Sequence, residues 1–105
     1  MIVRLWKGRA RGDSAEAYER HVLTSVFPKL RAIDGYVGGR VLRRNVDGDV
    51  EFLVETTWAS LNAIRAFAGD TADRAVVEPA ARALLADFDS HVEHFDVVAG
   101  GAGIE

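Results

Sequence analysis

Residues 36–58 read YVGGRVLRRNVDGDVEFLVETTW. Two runs rich in β-branched and aromatic residues flank Asn45-Val46-Asp47-Gly48-Asp49, where Asp-Gly marks a tight turn. The stretch predicts a hairpin with strands over 36–44 and 50–58. Just upstream, Gly35 is a natural stop for a helix whose apolar positions Tyr18, Val22, Val26, Leu30 and Ile33 recur at helical spacing, with Leu23 widening that face. Asp13 with Glu16 resembles a capping box at its start. Pro28 must kink or tighten this helix, because it lacks a donor and clashes with the preceding turn. Before it, residues 2–7 form a short strand ended by the stretch from Gly8 to Gly12. Downstream, Ser60 caps a short helix through Phe67, broken at Gly69-Asp70. A second helix is expected over 75–88, with Val76, Val77, Ala80, Ala81, Leu84, Leu85 and Phe88 on one stripe and Pro79 in its first turn. Residues 92–98 close the chain as a strand. The order strand, helix, strand, strand, helix, strand predicts an α+β ferredoxin-like fold, a four-stranded antiparallel sheet with helices on one face, with another two-layer α+β sandwich as the alternative.

The chain has 105 residues, 49% of them hydrophobic, enough for one core. Residues 1–98 are expected to form a single domain and 99–105 a loose tail, since Gly100, Gly101 and Gly103 cost backbone entropy that no apolar cluster offsets. Thirteen basic against sixteen acidic residues give a net charge of −3, which weighs against nucleic acid or an anionic membrane as partner. There is no cysteine, hence no disulfide, thiolate zinc site or cysteine nucleophile. Neither a signal-peptide core nor a membrane span is present, and a cytoplasmic location is expected.

Alternation divides each strand into two faces. Val3, Leu5, Val37, Val41, Phe52, Val54, Phe95 and Val97 are expected under the helices. The other face then holds Ile2, Arg4, Trp6, Arg40, Leu42, Leu53, Glu55, Val92, His94 and Val98, too apolar to be left in water. The simplest cover is a second copy packed sheet to sheet about a two-fold axis. Arg4, Trp6, Arg40, Glu55 and His94 would form the network inside this joint barrel, with Arg4 beside Glu55 across strands. The alternative is a monomer whose second face is wetted around its charges.

Five spans carry a family resemblance: Tyr18-Glu19-Arg20-His21; Phe27-Pro28-Lys29-Leu30 leading into Gly35-Tyr36-Val37-Gly38-Gly39-Arg40; Thr57-Trp58-Ala59-Ser60; Phe67-Ala68-Gly69; and His94-Phe95-Asp96-Val97. Together, over nearly the whole chain, the sequence resembles the antibiotic biosynthesis monooxygenase-like family of dimeric α/β-barrel proteins. The resemblance implies a pocket between the helices and the concave sheet. It places Trp58 at that pocket, matching a tryptophan near the site in both the oxygenase and haem-degrading branches, and offers Asn62 as the nearest amide. The quinone-forming oxygenases of the family need neither metal nor flavin, so no cofactor is expected. The haem-degrading branch uses an asparagine on the first strand and an axial histidine on the C-terminal helix. Here residues 1–12 lack asparagine and no histidine lies between His21 and His91, which argues against that chemistry.

Each candidate has a functional and a plain reading. His21 is a general base at the pocket lip or a boundary histidine bonded to backbone or water. Trp58 is a pocket wall or a core plug. Tyr36 offers a hydroxyl near the pocket mouth or is simply packed. His91 and His94 point to opposite faces of a strand and are not a metal pair. Asp87 and Asp89 flank a helix end, and Gly38-Gly39 marks a bulge rather than a phosphate loop. The pocket is expected to be lined by Tyr18, Val22, Phe67, Leu84 and Phe88 beside His21 and Trp58. The function that follows is a small cofactor-independent monooxygenase acting on an oxidisable aromatic molecule. The alternative is a non-catalytic small-molecule-binding or accessory dimer.

Overall fold

The computed structural model describes residues 1–100. Strand β1 spans Ile2–Arg11, and helix α1 (Ala15–His21) follows a single 3-10 turn. A π-helical segment, Val22–Val26, leads into α2 (Phe27–Arg31). The hairpin is β2 (Tyr36–Val46) and β3 (Asp49–Trp58), followed by α3 (Leu61–Ala68) and the single turn α4 (Pro79–Arg82). Strands β4 (Leu85–Phe88) and β5 (Glu93–Asp96) complete the order.

The sheet runs β2-β3-β1, and β4 and β5 divide the far edge of β1 between them, all antiparallel. This is the ferredoxin-like α+β arrangement with helices on one face, but with five strands rather than four. The expected helix over 75–88 accounts for the difference. Pro79 has no N–H and pushes Glu78 to extended backbone (φ −64°, ψ 151°), so helix begins only at Pro79 and lasts one turn. Leu85 and Phe88 instead find ladder partners on β1, opposite Ala10 and Gly8. The expected tail from Ala99 lies, from residue 101 onward, outside the described residues.

Several local expectations hold. Asp47 and Gly48 both have positive φ (52° and 84°), the two-residue turn that suits the strand twist. The Ser60 side chain accepts from the Ala63 N–H at 3.2 Å. Gly35 is not the C′ residue, since α2 ends at Arg31 with Ala32 as its cap, but its φ is +90° and a Cβ there would come within 2.6 Å of the Ala63 Cβ. A bulge is present, but between Tyr36 and Gly38 rather than at Gly38-Gly39. Asp13 forms no side-chain cap. The helix does not tighten at Pro28; the turn before it widens into the π segment. With no N–H at position 28, the Phe27 N–H reaches back five residues to the Val22 carbonyl.

The strand faces require a larger correction. Register sets Ile2 opposite Trp58, Arg4 opposite Thr56 and Trp6 opposite Val54, so the even-numbered residues of β1 lie under the helices with those of β3. In β5, His94 pairs with Arg4 and Phe95 with Val3. The expected phase of β1 and β5 is therefore inverted. Arg4, Trp6 and His94 do not belong to a barrel network on the open face, and Arg4 is not beside Glu55. Arg40 and Glu55 are on that face and pair with each other at 3.2 Å. Val37 is displaced by the bulge and lies 54% exposed rather than under a helix. The fully buried core centres on Trp58, Phe52, Leu30, Ile64 and Val22.

Candidate functional site

A cavity of about 200 Å³ opens between the covered sheet face and the helical layer. Arg4, Trp6, Val54 and Thr56 form its floor, and Tyr18, His21, Val22 and Val26 come from the helical stretch above. Phe67 and the extended residues Val76, Val77 and Glu78 close the side. The walls are predominantly apolar, and the polar groups gather at two places.

The first is His21, the last residue of α1. Its Nε2 is buried and has no hydrogen-bond partner among the described residues. The Glu78 Oε1 stands 3.6 Å away, and the other carboxylate oxygen of Glu78 receives the Lys29 ammonium. Residue 78 is carried to His21 by the extended chain that Pro79 enforces. The π segment supplies Val22 and Val26, so the widened turn shapes the roof directly.

The second is Arg4, only 5% exposed. Its Nη1 donates to the Ala72 carbonyl and meets His94 Nε2 at 3.1 Å, while Nη2 donates to the Arg74 carbonyl at 2.8 Å. These bonds pin the segment that walls the cavity onto the central strand. The guanidinium carbon lies 5.6 Å from the Phe67 ring centre. Burial pulls its pKa down to about 10, opposed by the charge of Asp73. It stays cationic at neutral pH. His94 is held below its usual value by burial and by Arg4, with Asp73 acting the other way. Tyr18 is buried and its hydroxyl is pushed well above the ordinary tyrosine range, so it remains protonated. Trp6 donates its indole N–H to the Asp89 carbonyl at 2.8 Å. Its ring lies over Gly8, where a Cβ would come within 2.5 Å of it.

Of the residues singled out in the sequence, His21, Tyr18, Val22 and Phe67 meet at this cavity. Trp58 does not line it. It is fully buried behind Phe67, stacked on that ring at 5.8 Å with the edge of Tyr36 at 5.2 Å, and its N–H bonds Thr56 Oγ1 at 2.9 Å. Asn62 is exposed on the first turn of α3. Tyr36 borders a separate shallow depression with Phe27, Arg31 and Gly39. Burial raises its hydroxyl pKa, and Arg31 opposes that. Leu84 packs against the core and Phe88 against Trp6, both away from the cavity lining. Sequence reasoning put Arg4 and Trp6 on the opposite face of the sheet and missed Thr56 and Glu78. Gly8, two residues beyond Trp6 on the same face, was the one available sign that a large ring lies down there.

The fold is that of the antibiotic biosynthesis monooxygenase-like proteins. A mutant of the haem degrader MhuD with two manganese protoporphyrin IX molecules per active site superposes with a TM-score of 0.70, at 20% identity over 98% of this chain and all of that one. MhuD from Mycobacterium tuberculosis with two haems bound gives 0.66 at 19% identity, over 97% of this chain and 100% of that chain. A candidate antibiotic biosynthesis monooxygenase from Deinococcus radiodurans gives 0.66 at 17% identity over the whole of both chains. No family model matches the sequence, and no curated protein matches it.

Proposed function

We propose that this chain is a small monooxygenase-like protein, independent of metal and flavin, that takes an oxidisable aromatic molecule into the cavity beneath α1. The observation that carries the reading is the buried Nε2 of His21, which makes no hydrogen bond among the described residues, at a predominantly apolar cavity. Such a nitrogen can accept a proton from an acidic C–H or O–H of the substrate, and Glu78 at 3.6 Å would balance the imidazolium charge. The resulting carbanion or phenolate reduces O2. For an activated methylene, CH2 and O2 become C=O and H2O, and the substrate itself supplies the electrons. The apolar walls exclude bulk water. Trp58 then acts behind Phe67 as a rigid backing, and Tyr36 and Asn62 take no part at the cavity.

The similarity to MhuD supports a planar ligand in this place. Haem itself does not fit. A cavity of about 200 Å³ lies below the ~300–1,000 Å³ common for drug-sized ligands, and haem is larger than those. His94 Nε2 is occupied by Arg4 and His91 is exposed beside Ser90, which leaves His21 as the one histidine at the cavity, so the misfit rests on the cavity's size. In the same reading the domain is residues 1–98, works in the cytoplasm and pairs with a second copy through the open sheet face. No helix among the described residues is long and apolar enough to cross a membrane.

Oxygen uptake with anthrones, quinols and flavonols tests the reading. Uptake with at least one class is expected, falling about 100-fold or more in His21→Ala. Binding with no uptake in any class would leave a non-catalytic binding module.

A further inference from the structure

Arg4 is a buried cation with no carboxylate in contact among the described residues. Among the described residues no acidic group lies within 4.0 Å of it, and Asp73 acts on it only at longer range. Its partners are two neutral carbonyls and an imidazole that burial and Arg4 itself keep from taking a proton readily. Burying a charge without a counter-charge is costly, and an apolar surround makes the cost greater. The hydrogen bonds use both Nη1 protons and one on Nη2. Among the described residues the Nε–H and the second Nη2–H have no acceptor, and Arg4 borders the cavity. An arginine presents such donors as a fork matched to the two oxygens of a carboxylate.

We infer that the ligand of this cavity is an aromatic carboxylate, its ring against Trp6 and Phe67 and its carboxylate on the free donors of Arg4. The inference rests on the proposed small-molecule site and specifies its substrate class. Arg4 has two tasks: it pins the wall at Ala72 and Arg74, and it receives the ligand's carboxylate, which supplies its missing counter-charge. His21, under α1, is left for the oxidisable end of the molecule.

Calorimetric titration of the full chain with 2-naphthoate and with its neutral isostere 2-naphthamide is the test. Wild type is expected to bind the carboxylate about tenfold or more tighter than the amide. Arg4→Met is expected to bind both with the weaker affinity, and Arg4→Lys, which keeps the charge without the fork, to retain only part of the preference. Equal binding of the two probes by wild type overturns the inference even if neither variant folds. A preference that survives in folded Arg4→Met also overturns it, because the charge would then be met by Lys29 or His21. Should wild type bind 2-naphthol and 2-naphthamide as well as 2-naphthoate, the substrate class is wrong and the small-molecule site stands. Should it bind none of the three, both fall.

Discussion

At the scale of single residues, the decisive placement is Arg4. Apolarity favours Val3 and Leu5 for the covered face of β1, and that is how the sequence reads. The opposite phase is stable because the guanidinium reaches two backbone carbonyls beyond the strand, contacts that no local pattern announces. His94 follows Arg4 to the same face, and this has a pH consequence. Its folded pKa lies below the unfolded value of about 6.5 because of burial and Arg4, so the unfolded chain binds the proton more readily. The stability it contributes is fully present above pH ~6.5 and is lost as pH falls through the folded pKa. Urea midpoints measured from pH 8 to pH 5 are expected to decline more steeply for wild type than for His94→Gln. Parallel profiles would refute the linkage. Trp58 had two open readings in the sequence, and its full burial selects the core plug as its placement.

At the scale of elements, the hairpin and the Ser60 cap were legible because each depends on chemistry within a few residues, whereas the helix ends at Arg31, ahead of the stop expected at Gly35. Asp47-Gly48 turns where both positions need positive φ, and Gly35 sits where a side chain would meet Ala63. Gly35→Ala is therefore expected to destabilise by about 2 kcal/mol or more through the left-handed backbone and the clash, read as a lower denaturation midpoint. A loss under ~0.5 kcal/mol would show that the junction between α2 and β2 relaxes freely. The segment over 75–88 was not legible. Its apolar residues have helical spacing, but the free edge of β1 offers hydrogen bonds that a helix interrupted at Pro79 cannot match. The cavity was half legible for the same reason. Its helical roof follows from periodicity, whereas its floor depends on a strand phase set by long-range register.

At the scale of the whole molecule, the two sheet faces do different work. The helix side encloses the cavity, and the open side carries Val3, Leu5, Leu42, Leu53 and Phe95, the last 51% exposed, among the pairs Arg40–Glu55 and Arg44–Glu51. The membership of that face differs from the sequence expectation, yet its apolar character persists, and so does its need for cover. Each large apolar side chain there gains roughly 1.5–3 kcal/mol on full burial. A dimer is thus expected in sedimentation at micromolar concentration, with Leu53→Arg giving a monomer; a wild-type monomer would contradict pairing through this face. The central claim is that small molecules enter beneath the helices. It is tested most directly by following backbone amide shifts during anaerobic titration with 1,4-dihydroxynaphthalene. Shifts are expected to cluster at Trp6, His21, Val22, Val54, Phe67 and Val77. Shifts confined to Leu42, Leu53 and Phe95, or none at millimolar probe, would contradict it.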